Sequence, residues 1–324
     1  MKALVTGATG FIGRHLCKAL VRAGDDVTAL VRASSNRAAL DGVSFRVGDV
    51  NDPSTLGFDG YDVVFHLAAM LGQPWHPQFM TTNATGVRNV AAACGGARLV
   101  VVSSMAAAGP STPLGRPRTE DDAPSPVSRY GASKLAGEQA ARELSARTKI
   151  TIVRPPIVFG GGDAAMLPLF KFAARGLAIV PTRASMSLVH VEDLVELVRA
   201  AARGETIAPE AAPGQGVYFA GFDEAPSFPS LASRVGLACG RSRTRVVSIP
   251  RAVLAAGGAA AERWAKWRNS DFELLSGDKA AEALAGDWIV SPAKAHRQLG
   301  WRPATTLDER LRETAEGYRA SGSI

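Results

Sequence analysis

Tyr130 and Lys134 stand four residues apart in the run Ser128-Arg-Tyr-Gly-Ala-Ser-Lys-Leu-Ala-Gly-Glu138, which reads as a helix. Residues i and i+4 share one helix face, so the phenol and the ammonium can point into one site. A phenol titrates near ~10 and is a poor proton shuttle at neutral pH. Bringing it down by ~2–3 units takes about 3–4 kcal/mol of preferential stabilisation of the phenolate. A neighbouring ammonium, joined by a bound oxidised nicotinamide, has the right sign for this. In reduction the same tyrosine gives its proton to a developing alkoxide. Ser104 ends the strand-like run 98–103 and would donate to the same oxygen from another side. Taken alone, Tyr-x-x-x-Lys also describes an ordinary exposed helical pair.

That chemistry needs a nicotinamide, and the chain opens on a place to hold one. Ala3-Leu-Val-Thr-Gly7-Ala-Thr-Gly10-Phe-Ile-Gly13 reads as a buried strand running into a helix through three glycines. Gly7 lets the strand turn, Gly10 clears space for a pyrophosphate, and Gly13 lets the helix pack closely on the sheet. The helix start presents free N–H groups at the positive end of its dipole. The spacing is G-x-x-G-x-x-G, so the G-x-G-x-x-G fingerprint is not strictly met.

Strand-like runs at 2–6, 27–31, 43–47, 62–67, 98–103 and 150–153 are mostly continuous apolar stretches, as strands buried on both faces must be. Helical patterns at 11–23, 79–94 and 128–147 fall between several of them. The expected fold is α/β, a Rossmann-type doubly wound parallel sheet. After Arg154 the chain is punctuated by Pro155-Pro156, Gly160-Gly161-Gly162, Pro168 and Pro181. The run 187–191, the helix-like 192–203 and the run 216–220 are expected to return to the sheet. This divides the chain into a dinucleotide-binding domain, 1–154 and about 186–220, and a smaller, mostly helical substrate lobe, about 155–185 and 221–324. Short strand candidates in that lobe are 246–249 and 288–290.

The 324 residues suffice for a large core, and 46% hydrophobic with 21% charged residues is ordinary for a soluble globular protein. The net charge is +7, and Arg241-Ser-Arg-Thr-Arg245 is its densest run. No aromatic residues interleave with that run, so it reads as a solvated edge and no nucleic-acid partner is expected. Cys17, Cys94 and Cys239 fit no metal spacing and cannot all pair, which suits a reducing compartment. No apolar run reaches the roughly 18 residues of a spanning helix, and the N-terminus does not read as a signal peptide. A cytoplasmic protein without stable membrane insertion or a bound metal is expected.

Taken together, these motifs resemble the extended short-chain dehydrogenase/reductases, the NAD(P)-dependent epimerase/dehydratase group. The match runs over nearly the whole chain through TGATGFIG (6–13), GDV (48–50), VFHLAA (64–69), Asn83 with Gly86 and Asn89, VVSSMAAAG (101–109), YGASK (130–134), RPPIVFGGGD (154–163), LVHVEDL (188–194) and LGWRPATTLDE (299–309). By this resemblance Tyr130, Lys134 and Ser104, counted back from Gly109, are catalytic. It also implies that Asp49 contacts the adenine and that Leu67, Ala68 and Ala69 line the dinucleotide. Phe11, Ile12, Val50, Pro155 and Ile157 are further expected cofactor contacts. Asn83 is expected either to anchor the helix near the site or to be purely structural. Homodimerisation through the helices at 79–94 and 128–147 is implied as well.

NAD-preferring members carry an acid at the end of the second strand. Here that position is Val31, followed by Arg32, with Ser34, Ser35 and Arg37 nearby. Arginines can pair with a 2′-phosphate, so NADP(H) is favoured and NAD(H) remains possible. Dehydratases of the family place Asp-Glu after the catalytic Ser/Thr. This chain has Met105-Ala106, so dehydration is not expected. Epimerases carry Asn where Ile157 stands. The Arg-Pro-Pro-Ile-Val-Phe-Gly form resembles hydroxysteroid-dehydrogenase-like and dihydroflavonol-reductase-like members, which act on apolar alcohols and ketones, although those usually have Gly-Pro at Gly160-Gly161.

The expectation is an alcohol/ketone oxidoreductase on a largely apolar small molecule. The alternatives are an epimerase and a non-catalytic cofactor-binding or redox-sensing protein. Met70, Met105, Met166 and His76 are candidate substrate contacts, with Leu167 and Phe170 as further pocket-wall candidates. His190 is expected to be structural. The stretch 251–268, with Trp264 and Trp267, reads as an amphipathic helix of the small lobe, with a membrane-surface contact as the alternative.

Overall fold

A computed structural model of the chain describes residues 1–71, 78–111, 115–250, 252–256 and 277–324. The strands in chain order are β1 (Lys2–Thr6), β2 (Asp26–Val31), β3 (Ser44–Val47), β4 (Val63–His66), β5 (Arg98–Val102), β6 (Ile150–Arg154), β7 (Ile157–Phe159), β8 (Leu177–Val180), β9 (Leu188–His190), β10 (Val217–Phe219) and β11 (Arg245–Ser248). The helices begin with α1 (Phe11–Arg22), α2 (Gln78–Met80), a π-turn (Thr81–Thr85) and α3 (Gly86–Ala93). They continue as α4 (Met105–Ala108), α5 (Arg129–Arg142), α6 (Leu167–Ala173), α7 (Val191–Ala201) and α8 (Phe228–Ala238). Helices Gly277–Leu284, Ala293–Leu299 and Leu307–Ala320 follow.

Seven parallel strands form the main sheet in the order β10-β6-β5-β4-β1-β2-β3. The strand order reverses beside β1, which opens a crevice at the carboxyl ends of β1 and β4. Every residue of β4 and β6 is buried, because helices cover both faces. On one face α1 and α7 pack Leu16, Leu20, Leu194 and Val198 against Val5, Ala29 and Val100. On the other, Val87 and Val90 of α3 and Ala141 of α5 meet Leu4, Val64 and Leu99. The buried residues of α1 recur at Gly13, Leu16, Cys17 and Leu20, a single stripe of a 3.6-residue helix.

The later part of the chain differs from expectation in two places. The run 187–191 does not return to the main sheet: β9 pairs with β7 in a separate two-stranded sheet, with Ile157 opposite Leu188. The run 216–220 does return, as β10 beside β6. The candidate at 288–290 is not a strand. Trp288 bridges to Met186 and Val290 to Arg118, so alternate residues stitch two different segments and no continuous ladder forms. β11 pairs with β8. A third core, including Phe159, Phe170, Leu231, Leu311 and Tyr318, joins these pieces. Asp193 of α7 forks with Arg310 of helix Leu307–Ala320 at 2.6 and 3.0 Å and ties this core to the main sheet.

Of the stretch 251–268, residues 252–256 are helical, and Trp264 and Trp267 lie outside the described residues. The three cysteines are free, and burial pushes the Cys17 and Cys94 thiols up to about 12. Among the described residues no helix is long and apolar enough to cross a membrane.

Candidate active site

The glycine turn has the geometry that its sequence predicts. Gly7 sits at φ +69°, and a Cβ there would lie 2.6 Å from the Ala68 amide nitrogen. A Cβ on Gly13 would lie 2.2 Å from the Gly7 carbonyl oxygen, so α1 approaches the turn as closely as glycine allows. A Cβ on Gly10 would meet only the Gly7 oxygen, at 3.2 Å, and would otherwise project into open space. Gly10 is the N-cap of α1, and no side chain caps that end. The helix thus presents uncapped N–H groups and its positive pole to the cleft in front of it.

That cleft has a volume of about 600 Å³. Gly7, Gly10, Phe11, Ile12 and Gly13 line its centre. Val31, Arg32 and Ser35, with Asp49, Val50 and Asn51, line one end. Leu67, Ala68, Ala69, Met70 and Leu71 form a wall that leads to Ser103, Tyr130 and Lys134. Arg32 is exposed, and its amide donates to the Ser35 hydroxyl at 3.1 Å. Asp49 is fixed by accepting from the Asn51 amide at 2.9 Å, and Asn89 holds the Val50 carbonyl at 2.9 Å.

Ser128 starts α5 by accepting from the Gly131 amide at 3.0 Å. The glycines of this helix permit close packing: a Cβ on Gly131 would lie 2.3 Å from the Ala106 oxygen, and one on Gly137 would lie 2.3 Å from the Asn83 oxygen. Tyr130 and Lys134 therefore reach the same cleft from one helix face. Lys134 is buried, and its ammonium donates to the Val102 carbonyl at 3.0 Å. Burial pushes it down to about 8, against the pull of Glu138. Ser104 caps α4, its Oγ accepting from the Ala106 amide at 3.1 Å. That bond leaves the hydroxyl proton free to be donated elsewhere, but of the two serines it is Ser103 that lines the cleft and Ser104 does not.

Asn83 sits in the π-turn and is buried. Its amide oxygen accepts from Met70 N at 2.8 Å, and its nitrogen donates to Met70 O and to the Ser133 hydroxyl, both at 3.0 Å. It thus joins the wall after β4 to the helix that carries Tyr130.

Several contributors were not singled out from the sequence. Glu138 lies four residues after Lys134, a helical spacing that could have flagged it. It accepts from the Ser103 hydroxyl at 2.5 Å and from Arg154 at 2.9 and 2.6 Å, all buried. Thr6 and His66 share a 2.7 Å hydrogen bond beneath the cleft, and burial, then the Lys134 charge, pushes His66 down to about 3. Asp278 accepts from the Tyr130 amide at 3.0 Å, and the Lys279 ammonium lies 5.8 Å from the Tyr130 ring centroid. No local pattern announces that last contact, because it spans nearly half the chain.

Other expected residues lie elsewhere. Arg37 stacks 5.3 Å from the Phe45 ring and does not line the cleft. Met105 and Met166 are buried in two separate apolar clusters, with Phe170 buried and Leu167 half-buried beside Met166, and none of the four lines the cleft. Pro155 supplies a carbonyl to Met105 N at 2.8 Å and Ile157 pairs in β7, both off the cleft lining. His190 caps α7, and burial pushes it down to about 4, in keeping with a structural role. His76 lies outside the described residues. Among the described residues no cluster of acids, histidines and cysteines could hold a metal.

The chain is 31% identical to a ceramide reductase of Caulobacter vibrioides, over 98% of this chain and 94% of that protein. It is also 31% identical to a 2-alkyl-3-oxoalkanoate reductase of Stenotrophomonas maltophilia, over 96% and 98% of the two chains. The fold superposes on the crystal structure of a UDP-glucose 4-epimerase from Thermotoga maritima with TM-score 0.77 and 22% identity, covering 99% of each chain. Residues 3–211 match the NAD dependent epimerase/dehydratase family, and the chain belongs to that family of Rossmann-fold enzymes.

Proposed function

We propose that this chain is an NADP(H)-preferring reductase that interconverts a ketone or aldehyde and an alcohol on a largely apolar substrate. The observation that carries this is the convergence of Tyr130 and Lys134, from one face of α5, on the cleft that the uncapped end of α1 also faces. The space in front of Gly10, which a Cβ would enter, fits a dinucleotide pyrophosphate. When bound there, the reduced nicotinamide supplies the hydride. Tyr130 gives its proton to the oxygen that becomes the alkoxide, and Lys134 offsets the phenolate left behind. Ser104 donates to the same oxygen and holds it in place. Arg32 at the cleft end favours a 2′-phosphate, while Val31 neither grips a ribose hydroxyl nor repels a phosphate.

An apolar substrate is supported by Met70 and Leu71 on the wall and by the acyl-chain substrates in the names of the two reductases. The Ile157 and Met105-Ala106 positions argue against sugar-nucleotide epimerisation and dehydration. A homodimer built on α3 and α5 and a cytoplasmic location complete the proposal.

The decisive experiment incubates the protein with NADPH and a panel of long-chain ketones, β-keto acids and nucleotide sugars. Loss of reduced-nicotinamide absorbance with the ketones supports the reading. Conversion without net cofactor consumption identifies an epimerase and overturns it. Tyr130→Phe is expected to lower turnover by ~10²–10⁴-fold while leaving NADPH affinity unchanged. Tighter binding of NADH than NADPH would overturn the cofactor preference, and a single-chain mass by light scattering would overturn the dimer.

A further inference from the structure

The β8–β11 pair, two parallel strands, carries apolar side chains on both of its faces. Its inward face, Ala178, Val180 and Val246, packs on Ala232 and Phe228. A strand face turned to water is ordinarily polar. Instead Ile179 and Val247 stand directly opposite each other, 48% and 42% exposed. Val253, just beyond the ribbon, is also exposed, as are Phe172 of α6 and Leu237 of α8.

Cations frame this apolar face. Arg245 opens β11 on the same outward side as Val247, and its amide donates to Gly176 O at 2.8 Å. Arg241 reaches the end of α6, its Nε donating to Ala174 O at 2.6 Å, while its amide binds Gly236 O at 2.9 Å, next to Leu237. Arg243 lies between them, and Lys171 and Arg175 flank Phe172. Stretches 164–191 and 225–261, which supply α6, β8, α8 and β11, contain no Asp or Glu. Among the described residues none of Arg175, Arg241, Arg243 and Arg245 forms an ion pair. Arg234, whose charge is taken up by Glu224 and Asp308, is the exception among the described basic residues of these stretches.

We infer that the outward β8–β11 face and its arginine rim dock on a membrane surface that carries anionic headgroups. Apolar side chains beside clustered cations match the two layers of such a surface, acyl boundary and phosphate. A second copy of this chain fits less well, since a two-fold contact would set the arginines against their own copies. A nucleic acid would leave the apolar face unused, and the rim has no aromatic platform beyond Phe172. The inference is independent of the proposed reaction, because it concerns a surface outside the cleft.

The test is co-sedimentation of the whole protein with vesicles of phosphatidylcholine alone and of phosphatidylcholine doped with phosphatidylglycerol. The expected result is partition to the doped vesicles that weakens with added salt. Joint Arg241→Glu, Arg243→Glu and Arg245→Glu should reduce it on the order of a hundredfold, from roughly fivefold per arginine. Joint Ile179→Ser and Val247→Ser should reduce it about tenfold while keeping the salt slope. Melting temperature and NADPH affinity, measured in parallel, should stay at the parent values, which shows that the variants are folded. Equal partition to both vesicle types, or no loss in the arginine variant, overturns the inference. So does binding to soluble polyphosphate that matches vesicle binding and ignores the serine variant. Concentration-dependent self-association abolished by the serine variant would assign the face to a second copy and overturn it as well.

Discussion

Two buried arginine–carboxylate pairs do different jobs in different surroundings. Glu138 and Arg154, 1% and 2% exposed, lie under the strand-end serines, and Glu138 also holds Ser103. Asp193 and Arg310 lie away from the cleft, where Arg310 is 12% exposed and also reaches Glu313 at 2.8 Å. Among the described residues the inner pair has no second carboxylate in hydrogen-bond contact, Glu120 acting on Arg154 only through its charge, and it has no water-facing side. The outer pair has both. The contrast shows how one chemical device can fix a reactive cleft in one place and pin a terminal helix in another. Which of these it does depends on what else its carboxylate holds. Each region also keeps a buried neutral histidine, His66 near Lys134 and His190 near Arg310.

The largest separation is expected from Glu138→Gln. It leaves Arg154 charged and enclosed with an amide donor turned against its guanidinium, a loss of about 3–5 kcal/mol, and it weakens the hydrogen bond from Ser103 by removing the charge. Denaturant unfolding should show the stability loss, and assays of the folded fraction should show reduced turnover. Asp193→Asn should cost less, about 1–3 kcal/mol, because Arg310 keeps Glu313 and some water. Its folded fraction should turn over like the parent. Equal costs for the two variants would break the comparison.

Ser103→Ala sharpens it. Removing one charge-assisted hydrogen bond should cost about 1–2 kcal/mol, with a larger effect on KM than on cofactor affinity. The effect that is smallest per unit step is the dependence on pH. Both histidines have folded values, about 3 and about 4, below the unfolded 6.5. Each therefore favours folding fully above pH 6.5, and this contribution is lost as pH falls toward the folded value. The slope is at most ~1.4 kcal/mol per pH unit for each. Melting curves of His190→Gln between those limits should be flatter than those of the parent. An unchanged slope would show that His190 is not held neutral.

Much of the main sheet was legible because its strands are buried on both faces and therefore read as apolar runs. The glycine turn, Tyr130 and Lys134 were legible because their geometry is local: a tight turn and one helix face. What escaped was set by distant partners. An apolar run such as 187–191 suits any buried strand, and its sequence does not say whether β6 or β7 will receive it. Met105 and Met166 look alike as pocket walls and as core, and only the neighbours supplied by later helices decide. Arg37 follows Arg32 closely in sequence, yet Phe45 on the edge strand gives its guanidinium a ring to stack on. Glu138 carried a signal in its spacing, but its importance depends on Arg154 arriving from the next strand.

The widened turn at Thr81–Thr85 sets a phase for everything that follows it. Each residue in an α-helix rotates the chain by about 100°. Deleting one residue there would restore a regular spiral and swing Asn83 away from Met70 and Ser133. No side-chain replacement could recover that alignment, so a single-codon deletion at this point should harm the protein more than any substitution of the asparagine itself.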